Sequence, residues 1–156
     1  MKKQLVAVAA ATALLGAAAV HAQGIQIAPA GSTPSRLGGS QNFVGHVTVD
    51  MAQVGQSGQH GSVGMVDFAP GARTAWHVHP VGQLLIVTDG KGWVQEQGQP
   101  RREIKAGDVV WIDADVKHWH GAASANGMRH WAVAYKKDGQ SSNWKEQVSD
   151  DQYQGR

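Results

Sequence analysis

The sequence predicts an all-β domain, a sandwich or barrel accompanied by one short C-terminal helix. Three observations carry that reading. Short runs rich in Val, Ile, Phe and Trp recur without a helical period, turn residues punctuate them, and only one late stretch has helical character. At 156 residues the chain suits a single domain whose core needs no disulfide.

The chain opens on MKKQLVAVAAATALLGAAAVHA, residues 1–22. Lys2 and Lys3 precede an uncharged run from Leu5 to Val20, and Val20-His21-Ala22 forms a small-x-Ala cleavage site. That is the pattern of a secretory signal peptide, and the run is shorter than the roughly 20 apolar residues of a membrane span. The expectation is cleavage after Ala22, a periplasmic or secreted product, and no membrane attachment of the mature chain. Without Lys2 and Lys3, the 14 Lys and Arg fall to 12, matching 12 Asp and Glu. A formally neutral chain has no basic field for nucleic acid. Cysteine is absent, which excludes thiol nucleophiles, thiolate zinc sites and iron–sulfur clusters. Any metal must be held by nitrogen and oxygen.

Residues 23–41 carry Gly, Ser and Pro without a sustained apolar period and read as a flexible N-terminal arm before a domain over 42–156. Strand-like runs follow at 43–50, 62–69, 84–89, 92–97, 108–113 and 129–136. Asp89-Gly90, Gln97-Gly98-Gln99-Pro100 and Ala106-Gly107-Asp108 supply the turns between them. Residues 141–152 read as a helix, capped by Ser142 or Asn143, with Trp144 and Val148 on one face.

Chemistry concentrates in TAWHVHPVGQLLIVTDG, residues 74–90. Residues i and i+2 of a strand share a face, so His77 and His79 project together, and Gln83 returns to that face after the Pro80-Val81-Gly82 bend. Burying such lone pairs is costly unless something takes them up, and a metal ion does so. Downstream, His118-Trp119-His120 follows a strand and an acidic turn. Three imidazoles and one side-chain carbonyl would make a four-ligand site with open positions for solvent or substrate. A lone His-x-His pair is equally compatible with an ordinary surface or core pair; the combined spacing carries the metal reading.

Residues 71–90 read Gly71-x5-His77-x-His79-x3-Gln83-x6-Gly90, and residues 107–118 read Gly107-x5-Asp113-x-Asp115-x2-His118. These resemble the two motifs of the cupins, with Gln83 where glutamate is usual, and Asp113 and Asp115 where proline and glycine are usual. The resemblance implies a jelly-roll β-barrel. PGARTAWHVHPVGQLLIVTDGKGWVQ, GDVVWIDADVKHWHGA, MRHWAVA and WKEQVSDDQY further resemble the small manganese-dependent cupins with (R)-hydroxynitrile lyase activity. That likeness implies a metal held at His77, His79, Gln83 and His118, with His130 as catalytic base. Manganese is the implied metal, while the ligand types also admit Fe, Ni or Zn. Gly64, Val66, Thr74, Trp119, His120 and Ala134 are the expected pocket positions. Ala134 stands where those lyases often have glutamine.

Three neutral imidazoles and a neutral amide leave a divalent ion its full +2 charge, which favours an anion such as cyanide. A histidine base suits cleavage of a cyanohydrin to an aldehyde or ketone because both proton states are accessible near neutrality. Alternatives remain open at this stage. His130 also fits a core or rim histidine, and His120 a structural one. A three-histidine cupin dioxygenase cleaving a diketone or flavonol is a rival enzyme, and a non-catalytic periplasmic small-ligand-binding cupin is a rival of another class. Arg73 is expected to pair with Asp108 or Asp67. Exposed sheet edges lead to the expectation of a homodimer or homotetramer.

Overall fold

The computed structural model describes residue 25, residues 27–52 and residues 60–156, so the signal-peptide reading of 1–22 lies outside the described residues. Apolar and polar residues alternate along its extended segments, and the chain folds accordingly into antiparallel strands. They are β1 (Arg36–Leu37), β2 (Phe43–Val44), β3 (Val47–Ala52), β4 (Gly61–Phe68), β5 (Arg73–Thr74), β6 (His77–Val78) and β7 (Gln83–Glu96). β8 (Arg102–Lys105), β9 (Val109–Ile112), β10 (His118–Ala122), β11 (Met128–Tyr135) and β12 (Asn143–Trp144) follow, and α1 (Asp150–Gln154) ends the chain.

The strands curl into two facing layers. The first runs β1-β3-β4-β11-β7-β9, and the second brings β2, β5, β10, β7 and β8 together, with β6 and β12 beside β10. β7 belongs to both: Gln83 to Ile86 pair with β9, whereas Gly92 to Glu96 pair with β10. The space between the layers is filled by Val47, Val66, Phe68, Val87, Val94, Ile104 and Met128. This is the expected all-β jelly roll with a short C-terminal helix.

Two sequence expectations are corrected. The runs at 84–89 and 92–97 are one strand, and Asp89-Gly90 is no hairpin. A Cβ at Gly90 would sit 2.0 Å from the Gly127 carbonyl oxygen, and one at Gly92 would sit 2.0 Å from that of Gly121. These glycines admit neighbouring strands crossing close to a sharply bent strand; they do not reverse the chain. The expected helix at 141–152 is also displaced. Asn143–Trp144 is a strand paired to His77–Val78, and the helix starts after Ser149. Ser149 and Gln152 form a reciprocal capping box, which fixes that start better than Ser142 or Asn143 could. Within the 23–41 arm, Arg36–Leu37 form β1 against β3.

The segment from Val148 to Tyr153 crosses the outside of the second layer. Trp76, Trp119, Val148 and Tyr153 form a separate apolar cluster there, and the Tyr153 hydroxyl donates to the Ala122 carbonyl at 2.7 Å. Arg73 belongs to this clasp. Its Nε and Nη2 donate to the Val148 carbonyl, and Nη2 pairs with Asp150 at 2.7 Å, in place of the expected Asp108 or Asp67.

Candidate metal centre

The fold places the two motifs side by side. β10 pairs with β6 so that His118 lies opposite His77, and the bend after His79 delivers Gln83 to the same inner face. Gly82 takes a φ of +92°, and a Cβ there would lie 2.7 Å from the Ile112 carbonyl oxygen, so the bend needs glycine. The acidic turn before His118 works with unusual residues. Asp115 adopts the left-handed conformation, φ +60°, that a glycine takes more cheaply, and its N–H donates to the His79 carbonyl at 2.9 Å.

One nitrogen each from His77, His79 and His118 lie within 4.8 Å of one another, all three side chains buried. Each Nδ1 is committed to a backbone carbonyl: His77 to Ala75 at 3.0 Å, His79 to Ser141 at 2.5 Å, His118 to Val116 at 2.9 Å. With Nδ1 protonated, each Nε2 carries a bare lone pair toward the centre. Gln83 Oε1 lies 3.0 Å from His118 Nε2, so two acceptors face one another. His79 Nε2 is buried with no hydrogen-bond partner. Facing lone pairs are repulsive alone and favourable around a cation, so the donor set fits a divalent metal.

The electrostatics keep the ligands neutral. Burial is the first cause of the low pKa of His77, reinforced by repulsion from His118 and His79. Burial likewise lowers His79, and brings His118 down to about 4. Neutral imidazole is the metal-binding form.

Beside the centre opens a cavity of about 260 Å³. Of the expected pocket residues, Gly64, Val66, Thr74, His120 and Ala134 line it, together with the candidate donors His77, His79 and Gln83. Trp119 does not. Adjacent strand residues point to opposite faces, so while His118 and His120 face inward, Trp119 is fully buried in the outer cluster against Tyr153. His130 is absent from the cavity wall. It is fully buried behind His120, its Nε2 3.1 Å from His120 Nδ1, with its ring 5.4 Å from that of Phe68. Bonding through Nδ1 leaves His120 Nε2 as that ring's free nitrogen, buried and without a partner. Burial depresses both histidines, His130 to about 4, and proximity to His130 adds to the effect on His120.

Sequence reasoning missed part of the wall. Val49 and Met51 line it from β3, and alternation along that strand was the available signal. Phe43, Ala132, Ser141 and Trp144 also line it. Trp144 lies 4.7 Å from the His77 ring at 31°, a contact hidden by the helical reading of its segment.

A jelly roll whose inner face gathers three neutral imidazoles and an amide oxygen defines a metal-binding β-barrel protein. The chain belongs to the cupin family: residues 64–133 match the pattern described as "Cupin domain". It is 44% identical over 129 residues to an (R)-mandelonitrile lyase of Granulicella tundricola, an alignment covering 83% of this chain and 98% of that protein. Among solved structures it is similar to a cupin-like protein from Thermotoga maritima, with 42% identity, a TM-score of 0.72, and coverage of 76% of this chain and 90% of that one. A predicted oxalate decarboxylase of the same organism shares the fold at 17% identity, with a TM-score of 0.60 over 69% of this chain and 96% of that one.

Proposed function

We propose that the protein is a metal-dependent carbon–carbon lyase that cleaves cyanohydrins such as mandelonitrile into an aldehyde and cyanide. The observation that carries this reading is a neutral three-histidine, one-amide donor set beside a cavity that His120 lines, with His130 buried behind it. The 44% identity to the Granulicella lyase supports it. We infer that manganese is the metal held by His77, His79, Gln83 and His118, although the ligand types suit other divalent ions too. We further infer that the enzyme acts after export and signal removal. When bound, the ion supplies an undiminished positive charge that accepts the departing anion.

The remaining chemistry belongs to His120 and His130. His120 Nε2 takes the cyanohydrin hydroxyl proton, the carbon–nitrile bond breaks with its electron pair leaving on cyanide, and the carbonyl forms. His130, bonded to His120 Nδ1, fixes the ring and stabilises the imidazolium, so the base role expected of His130 passes to the pair with His120 in front. The low pKa values keep both rings neutral and ready to accept at pH 7, and make the imidazolium a ready donor of the proton to cyanide. Phe43, Val66 and Trp144 give the cavity an apolar wall for an aromatic substituent.

The test is metal analysis of the purified mature chain, then anaerobic mandelonitrile cleavage with and without chelator. Benzaldehyde and cyanide release that chelation abolishes and manganese restores is the expected result. A manganese-loaded protein with no cyanide release above background overturns the proposal, and oxygen uptake with a diketone directs attention to a dioxygenase.

A further inference from the structure

The cavity beside the metal centre has an uncharged wall: among the described residues, no Asp, Glu, Lys or Arg lines it. Strand register orders its floor. Gln83, Ala134 and Ser62 stand in one row across β7, β11 and β4, and Ala132 and Gly64 stand beside one another in the next. All five face inward and line the cavity. With strands about 4.8 Å apart, the Ser62 backbone stands roughly 10 Å from that of Gln83, and only the methyl group of Ala134 lies between them. The floor is therefore a trough that runs from the metal-facing amide to a hydroxyl. Phe43 and Trp144 roof it from the second layer, and His120 looks into it with Nε2 buried and unpartnered.

We propose that this cavity takes cyanohydrins whose aromatic ring carries a neutral hydroxyl para to the reacting carbon, and that Ser62 selects them. The inference rests on the lyase reading, which sets the nitrile at the centre and the carbinol hydroxyl at His120 Nε2. From there an aryl ring lies over Ala132 and Ala134, which are too small to obstruct it. The point straight across the ring then meets Ser62 at the end of the row.

Ala134 decides how far the ring can reach. A glutamine there, as in the lyases this sequence resembles, would fill the trough and take up the Ser62 hydroxyl itself. Alanine leaves that hydroxyl to the substrate. Charge sets the class of substituent. A ring carboxylate or ammonium would lose water without gaining a counter-charge, whereas a phenol exchanges one neutral hydrogen bond for another. A site that bonds a substrate hydroxyl also discriminates against the analogue lacking it.

Two paired measurements on the metal-loaded mature chain test this. The kcat/KM ratio of 4-hydroxymandelonitrile to mandelonitrile should be about five, the worth of one neutral hydrogen bond. Independently of turnover, 4-hydroxybenzyl alcohol should bind more tightly than benzyl alcohol by the same factor. Ser62→Ala should bring both ratios to about one, and Ser62→Thr, which keeps the hydroxyl, should preserve them. Ala134→Gln should lower both by filling the trough. Far-UV spectra and metal content serve as folding controls. Cyanide release from neither nitrile would sink the lyase reading, and the alcohol pair would then decide alone whether Ser62 selects a ring hydroxyl. Wild-type ratios near one overturn the inference. So do ratios that survive Ser62→Ala or fall only in Ser141→Ala or Ser142→Ala, the other serines of the wall.

Discussion

Replacing Gln83 by glutamate tests the charge logic of the centre. The side-chain oxygen at this position lies 3.0 Å from His118 Nε2, and the three histidine donors fall within 4.8 Å of one another. A carboxylate there stands within about 5 Å of an anion bound at the centre, a repulsion of ~3 kcal/mol at an effective dielectric of about 20. Converted at about 1.4 kcal/mol per decade, Gln83→Glu should weaken cyanide binding about a hundredfold. The same substitution should strengthen divalent metal binding, since the added charge attracts the cation. Titrating cyanide into the manganese-loaded variant and wild type, with metal content measured in parallel, reads both effects. Equal or tighter cyanide binding by a fully loaded Gln83→Glu protein would refute the reasoning.

Other perturbations separate the remaining parts. His77→Ala and His118→Ala should each lose metal while keeping a folded barrel by circular dichroism; normal loading in both removes the proposed donor set. His120→Phe and His130→Phe should both load metal, with turnover abolished in the first and reduced about a hundredfold in the second; an unchanged pH–rate profile in either contradicts the pairing. For the metal-free chain, His130 titrates near 6.5 when unfolded and at about 4 when folded. Its contribution is therefore complete above pH 6.5 and is lost as pH falls toward 4, by ~3 kcal/mol in all, so urea midpoints should drop across that window. A midpoint that is flat or rising on acidification argues otherwise. Trp144→Ala removes a ring packed on His77 and Phe43 and should cost about 2–3 kcal/mol and hasten chelator-driven metal release. Unchanged stability and release would show that the C-terminal segment does not steady the centre.

The convergence of His77, His79, Gln83 and His118 was legible because strand periodicity and motif spacing are local. His77, His79 and Gln83 lie within seven residues, and the second motif adds His118. The division between His120 and His130 was not legible. Both belong to inward strand positions, and only the layering of β10 against β11 decides which ring meets the cavity and which sits behind it. Trp119 departs for the opposite reason: it is next in sequence to His118, but the two-residue period of the strand sends it outward. The end of the chain misled because Trp144 and Val148 share helical spacing, yet the pairing of Asn143–Trp144 with β6 overrode that local pattern. Asp89-Gly90 has the composition of a hairpin, but the turn signal was in fact a crossing signal.

β7 begins at Gln83 and ends at Glu96, and both ends arrive at His118, the first through its side chain and the last through backbone pairing. Straightened, fourteen residues would span about 46 Å. A cation seated among the donors would therefore act as a rivet where the two layers meet, since Gln83 enters from the layer of β9 and His118 from that of β10. Chelation should then release amide protons at this seam first, before those of the β4–β11 ladder, making hydrogen exchange a gauge of occupancy that requires no substrate.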